Sequence, residues 1–320
     1  MKKKRVGLLA IILAAIAAGF RFGAWFSVIA IAAVFAAWGA FRLYRKAVAH
    51  RSIEELRPYF ERYNVEKLKA DAQARDTGRP FKFVVMGDTR NVYEVGKIVF
   101  SQVATEDAAV ILNTGDLVRK GTAREYLNCH LPLLELTNPA PMFCVPGNHD
   151  RGARNNFAAY NAIYGSERFA FDFGPCTFVG VNNGKRARME SDDVAYLEEH
   201  LSKSTAQYKF AVLHIPPAFF EQTFVIVRSH RGFTKWADEM HEVFKQYGVN
   251  EVFMGHIHGY ASTVIDGVRY TLTAGGGAPL SKRLPKENRA FNYVVVHVGN
   301  DGLRREVVQY INGEWVRREE

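Results

Sequence analysis

Hydrophobic positions along the chain fall into three regimes. From Val6 to Phe20 they run unbroken, Arg21 interrupts them, and Phe22–Phe41 resumes with Ser27 as its only hydroxyl. The second run is long enough to cross a bilayer. One helix from Val6 to Phe41 would be about 54 Å long at about 1.5 Å per residue. The pattern therefore predicts a helical hairpin, residues 6–20 and 22–41, turning near Gly19-Phe20-Arg21-Phe22-Gly23. Four Lys/Arg precede the first run, four follow the second by Arg51, and only Arg21 lies between. The positive-inside rule then places both ends in the cytoplasm. A signal-peptide reading competes, with a small-residue stretch at Ala15-Ile16-Ala17, and would put the rest outside the cell.

The second regime, Arg42 to about Asp76, is helical in period and mixed in charge. Pro58 breaks it, and Thr77-Gly78-Arg79-Pro80 reads as a helix stop. The expected organisation is a membrane-anchoring region at 1–51, a juxtamembrane connector at 52–80 and a catalytic domain at 81–320.

In the third regime short apolar runs alternate with helix-period segments. Strands are expected at Phe81–Met86, Ala108–Asn113, Met142–Val145, Phe169–Phe173, Thr177–Val181, Phe210–His214 and Val252–Met254. Helices are expected at Val92–Thr105, Thr122–Leu136, Asn155–Tyr164, Asp192–Leu201 and Lys235–Tyr247. Beyond Gly255 the pattern turns to strands: Ser262–Ile265, Val268–Thr273, Tyr293–Val298 and Val307–Tyr310, with turns at Asp266-Gly267 and Asn300-Asp301-Gly302. Strand–helix alternation followed by a run of strands implies an α/β fold with two packed sheets flanked by helices.

Charge changes the picture only at one end. The net +9 arises from nine Lys/Arg and no acidic residue in 1–51, which leaves 33 basic against 33 acidic residues elsewhere. The basicity belongs to the membrane end, and nucleic acid is an unfavoured partner. Three widely spaced cysteines, Cys129, Cys144 and Cys176, give neither a disulfide framework nor a zinc pattern.

The chemistry sits where strands end. Asp88 follows the first domain strand, Asp116 the second and Asn148 the third; His214 closes another strand, and His256 and His258 follow a further one. All six can meet at one sheet edge, as ligands do in open α/β folds. Carboxylates with imidazoles suit Mn²⁺, Fe or Zn²⁺. Two such ions can activate a water for in-line attack at phosphorus. Taken singly, the glycines before these residues serve tight turns in any fold, and a lone His214 would be a core histidine.

Gly87-Asp88-Thr89-Arg90, Gly115-Asp116, Gly147-Asn148-His149-Asp150, His214 and Gly255-His256-Ile257-His258, in that order, resemble the calcineurin-like metallophosphoesterases over about residues 80–280. The resemblance implies a four-layer αββα sandwich and two divalent metal ions. It implies that Asp116 bridges them, that Asp88 and His258 hold the first, and that Asn148, His214 and His256 hold the second. His149 would protonate the leaving group or stabilise the phosphoryl transition state, oriented by Asp150. The family commonly has His where this chain has Arg90, and an arginine is no metal ligand. Either the first ion has one protein ligand fewer, or Arg90 donates to the substrate phosphate. Arg119 stands where the iron–tyrosinate branch of the family has Tyr, which argues against that branch.

The substrate implied is a phosphomonoester or phosphodiester. The expected membrane region points towards a lipid or lipid precursor. Phe219, Phe220, Phe224 and Val225–Val227, followed by Arg228, His230 and Arg231, could receive an acyl chain or simply form core; Arg119, Arg151 and Arg154 could add phosphate contacts. The rival readings are a membrane-tethered, non-catalytic binding or scaffold protein with a degenerate metal site, and a phosphoprotein phosphatase.

Overall fold

A computed structural model describes residues 24–78, 80–90, 93–152, 156–184, 188–225 and 232–320. They form two compact units, the first ending at Glu54 and the second running from Glu55 to Glu320.

Of the first unit the structure describes one helix, α1 (Ala24–Glu54). It exposes large apolar side chains, among them Trp25 (82%), Ile29 (66%) and Phe35 (52%). Among the described residues no helix is long and apolar enough to cross a membrane. The expected span at 22–41 gains no support from this, and the expected first span at 6–20 lies outside the described residues.

The second unit opens with α2 (Arg57–Tyr63) and α3 (Val65–Arg75). The helical stretch is interrupted where Pro58 predicts: one helix stops at Glu54 and the next begins at Arg57, with Pro58 in its first turn, where its missing N–H has no intrahelical partner to lose. Asn64 caps α3 by accepting from Lys67 N at 3.0 Å. Helix α3 buries Val65, Leu68 and Ala72 and packs near two strands of the domain, β3 and β4, given below.

Twelve strands follow: β1 (Phe81–Met86), β2 (Val110–Asn113), β3 (Met142–Cys144), β4 (Phe169–Phe173), β5 (Cys176–Gly180), β6 (Tyr208–Val212), β7 (Glu251–Met254), β8 (Tyr260–Ile265), β9 (Val268–Thr273), β10 (Phe291–Gly299), β11 (Gly302–Ile311) and β12 (Glu314–Glu319). They make two six-stranded sheets, ordered β12-β11-β10-β1-β2-β3 and β4-β5-β6-β7-β9-β8. Strands β1, β2 and β3 are parallel neighbours in the first sheet. Strands β5, β6, β7 and β9 are parallel neighbours in the second. Parallel strands bury both faces, and β1, β2, β3 and β7 accordingly contain the continuous apolar stretches 83–86, 110–112, 142–144 and 252–254.

Aromatic rings fill the space between the sheets. Phe83 of β1 meets Phe178, Phe210 and Phe253 of the second sheet edge-on at 5.0, 4.9 and 6.2 Å between centroids. Phe143 of β3 stacks on Phe171 of β4 at 3.9 Å. Outside the first sheet lies α4 (Tyr93–Ala104), burying Val99, Phe100 and Val103. Outside the second lie α6 (Ser191–Lys203) and α7 (Ala237–Gln246), whose Leu197, Leu201, Met240 and Phe244 join a core cluster with Val179, Val252 and Leu272. The short α5 (Ala158–Tyr164) packs against α2. The layers are thus helix, sheet, sheet, helix.

Three elements differ from the sequence expectation. The helix expected over Thr122–Leu136 is a chain of short pieces, with a π-helical turn at Tyr126–His130 before Leu131–Leu134. Pro132 explains the widening: its ring collides with the carbonyl four residues earlier in a regular α-helix. The helix expected from Asn155 begins at Ala158. Strand β12 was not foreseen, because as an exposed, charged edge strand it lacks apolar alternation.

Candidate active site

The strands β1, β2, β3, β6 and β7 all end at the same edge of the sandwich, and each is followed within a few residues by a polar side chain. Several of those residues adopt left-handed backbone: φ is 64° at Asp88, 49° at Arg90, 54° at Asp116 and 75° at His256. Such conformations cost non-glycine residues on the order of 1 kcal/mol each and gather at functional sites. Loop-to-loop hydrogen bonds hold them: Asp88 N to Gly115 O at 2.8 Å, Arg90 N to Asp116 O at 2.9 Å and Gly255 N to His214 O at 2.8 Å.

Two glycines pack directly beneath the polar groups. A Cβ at Gly147 would run into Asp116 Oδ1 and the Asp116 amide, and one at Gly255 into Asp88 Oδ2. Their role is close approach rather than turn geometry alone.

The side chains converge. One ligating atom each from Asp88, Asp116 and His258 lies within 4.8 Å of the others. His258 Nε2 is 3.4 Å from Asp88 Oδ1, and His214 Nε2 is 3.3 Å from Asp116 Oδ1 and 3.2 Å from Asn148 Oδ1. The His256 ring meets the His214 ring edge-on at 5.3 Å, and its amide donates to both Asp88 oxygens at 3.1 and 3.0 Å.

The two best-anchored imidazoles share one arrangement. His214 Nδ1 lies 2.8 Å from Thr114 O, and His258 Nδ1 lies 2.7 Å from Pro279 O. A carbonyl only accepts, so each Nδ1 carries the proton and each Nε2 lone pair faces the site. That is how metal-binding histidines are commonly held. Asp116 supplies the sharper test of fit: its Oδ2 is buried and makes no hydrogen bond among the described residues. Its nearest cation, Arg90 Nε, stands at 3.8 Å. An orphaned carboxylate oxygen beside imidazole lone pairs suits a divalent cation.

Arg90 enters this cluster rather than solvent. Its Nη2 is 2.7 Å from His149 Nε2, and its Nη1 is 3.3 Å from His258 Nε2. His149 Nδ1 faces the Arg119 carbonyl at 2.9 Å, and the His149 amide donates to Asp116 Oδ1 at 2.8 Å. These side chains, with Ile257, Ser281 and Arg283, line a pocket of about 140 Å³.

Asp150 is placed differently from expectation. Its fully buried carboxylate accepts from the amides of Leu117 (3.2 Å), Val118 (3.0 Å) and Gly147 (2.8 Å) and from Tyr126 Oη (3.0 Å). It makes no hydrogen bond to the His149 ring among the described residues, so the expectation that it orients that ring is corrected: Asp150 pins two site loops together. Burial, then repulsion from Asp116, pushes its carboxyl up to about 7 against the opposing pull of the three amides.

The remaining candidates separate. Phe220 is fully buried and Phe219 packs on His241 and Tyr270; these rings are core rather than an acyl pocket. Arg154 and Ile226–Arg231 lie outside the described residues. Arg119 is exposed and meets the site through its carbonyl. Sequence reasoning missed Ser281 and Arg283, which stand far from any motif, and the carbonyls of Thr114 and Pro279, which carry no residue signature.

Comparison with known proteins defines the class. Residues 81–260 match the family described as calcineurin-like phosphoesterase. The chain belongs to that family. A probable cyclic nucleotide phosphodiesterase of Vesicomyosocius okutanii subsp. Calyptogena okutanii is 24% identical over 170 residues, 51% of this chain and 67% of the relative. Among solved structures, the purple acid phosphatase PPD1 from yellow lupin (Lupinus luteus) seeds aligns with a TM-score of 0.61 at 15% identity. That alignment covers 74% of this chain but only 52% of the lupin chain. PhoD aligns with a TM-score of 0.58 at 12% identity, over 75% of this chain and 68% of that one. GAP50, the anchor in the inner membrane complex of Plasmodium, aligns at 0.56 and 15%, over 75% and 88%. The likeness to these structures establishes the fold.

Proposed function

We propose that the chain is a metal-dependent phosphoester hydrolase that works with two divalent cations. The observation that carries this reading is the meeting of Asp88, Asp116 and His258, with a buried Asp116 oxygen that makes no hydrogen bond among the described residues. Asp116 lies within reach of Asp88 and His258 and also of His214, which in turn contacts Asn148; this supports a bridging role for it. Asp88 and His258 would hold one ion; Asn148, His214 and His256 would hold the other. When bound, two such ions polarise the phosphoryl group and lower the pKa of an attacking water.

The chain's own residues supply the rest. Arg90 carries a permanent charge over the Asp116 carboxylate and can donate to a phosphoryl oxygen. His149 Nε2 accepts from Arg90 Nη2; with Arg90 turned to a phosphoryl oxygen, Nε2 is the atom from which a protonated ring would give its proton to the leaving oxygen. Asp150 holds the Leu117–Val118 and Gly147 backbone in place, and so fixes the loops that bear Asp116 and Asn148.

The test is Mn²⁺-dependent hydrolysis of an aryl phosphodiester and an aryl phosphomonoester by the purified full chain. Turnover that needs metal supports the reading, and the preferred ester names the class. Bound metal without turnover of either ester would favour a binding or scaffold role, for which the guanidinium beside His258 Nε2 is the one specific observation.

We further propose that the region before Ser52 attaches the protein to a membrane with the catalytic domain on the cytoplasmic side, and that the substrate is lipid-linked. Support comes from the apolar runs of the sequence, the flanking Lys/Arg and the exposed Trp25, Ile29 and Phe35 of α1.

A further inference from the structure

We infer that Arg283 is a substrate-contacting specificity residue, a second guanidinium for the anionic oxygens of the phosphoester, and that Glu221 is its positioning residue. The inference rests on the phosphoesterase reading and adds to it a residue that no motif marks.

The argument begins with the loop that bears Arg283. Ser281 N donates to His258 O at 2.8 Å, and His258 Nδ1 reaches back to Pro279 O at 2.7 Å. Backbone and ring of one candidate ligand thus fix both ends of a short turn. From the far side Arg289 donates to Leu284 O at 2.7 Å and to Lys282 O at 2.8 Å. A turn clamped from two directions presents its side chains in fixed places, which is what recognition requires.

Arg283 itself is 13% exposed and lines the same pocket as Arg90 and His149. It is ion-paired with Glu221, whose side chain is 2% exposed. Glu221 also receives the Gly232 amide at 2.5 Å. A surface arginine would sweep through many rotamers; this one is held by a buried carboxylate. The pair with Glu221 uses Nη2, while Nε and Nη1 are buried; Nη2 carries two N–H donors, so one can engage the carboxylate while the other meets a ligand oxygen. A lysine ammonium, a point charge on a flexible stem, would keep the pair with Glu221 without the fixed planar geometry that aims a donor at the ligand. Arg90 and Arg283 both line this pocket of about 140 Å³, so it offers an entering anionic group two guanidinium groups.

The test uses the metal-loaded full chain and two readouts: inorganic phosphate binding by titration calorimetry, and KM and kcat for the preferred aryl phosphate ester. Arg283→Met should raise KM and weaken phosphate binding about tenfold, since charge-assisted bonds to a ligand are of that worth, with metal content unchanged. Arg283→Lys keeps the buried charge pair and guards against misfolding; it should show most of the same KM effect. Glu221→Gln should raise KM several-fold with little change in kcat. Wild-type phosphate affinity and KM in Arg283→Lys and Arg283→Met would overturn the inference and leave the phosphoesterase reading standing. Failure of the wild-type protein to bind phosphate or hydrolyse either ester would remove both.

Discussion

At the residue scale Asp116 combines left-handed backbone, near-complete burial and an oxygen with no hydrogen bond among the described residues. Asp116→Asn keeps its shape and removes its charge. Turnover should fall at least about a hundredfold, the scale on which even supporting residues of metal sites act, with melting temperature retained; unchanged kcat would exclude a bridging role. Arg90→His exchanges a fixed positive charge for a neutral ligand. Removing a cation 3.8 Å from Asp116 should tighten metal binding at that side about tenfold, and calorimetry with Mn²⁺ reads it. Equal affinities would mean that Arg90 does not govern the site. The motif residues were legible in the sequence because carboxylates, Asn and His recur just after apolar runs. The Asp150 contacts were not, since its partners are mainly amides, which every residue offers. Arg283 was hidden for another reason: its neighbours Glu221 and His258 are brought to it only by the fold.

At the scale of elements, two buried contacts set how the parts hold together. Glu251 of β7 is fully buried and pairs with Arg305 of β11 at 2.6 Å, linking the two sheets, while Thr271 of β9 donates to it at 2.6 Å. Arg305→Met leaves that carboxylate without its counter-charge, so urea unfolding should show a loss of about 3–5 kcal/mol; a loss under about 1 kcal/mol would mean the pair is dispensable. His130, in the π-helical turn, is buried against Tyr164 Oη at 2.5 Å, and burial lowers its pKa to about 3. Its folded pKa lies below the ordinary value of 6.5, so between these values the unfolded chain binds the extra proton. Stability from this residue is complete above pH 6.5 and declines as pH falls, by about 1.4 kcal/mol per unit. Between pH 6.5 and 5 the wild-type protein should therefore lose about 2 kcal/mol more than His130→Gln, and equal losses would show that His130 is charged in the fold. Strands β7 and β9 were readable from their apolar residues, whereas the start of β11 that bears Arg305 was not, because Arg304-Arg305-Glu306 interrupts the apolar pattern. The π turn was not, because helical periodicity does not reveal how one proline widens the turn before it.

For the whole molecule the open question is attachment. Residues 52–320 carry equal numbers of acidic and basic side chains, so the net positive charge that an anionic surface would attract lies in the first 51 residues. Those residues pair nine basic side chains with two apolar runs, and helix α1 leaves Trp25 and Ile29 mostly exposed. A large apolar surface left in water is a liability unless something covers it, and a bilayer fits both its polarity and the flanking charge. The expected result is that the full chain sediments with membranes and resists carbonate at high pH, whereas a variant lacking residues 1–51 is released. A purely electrostatic association would dissolve in high salt, because surface charge is screened within about 3 Å at 1 M. Reporter fusions at the two ends should both report cytoplasm if the hairpin holds. A catalytic domain open to protease on intact cells would instead favour the signal-peptide reading, and full recovery of the intact chain in the soluble fraction would overturn membrane attachment.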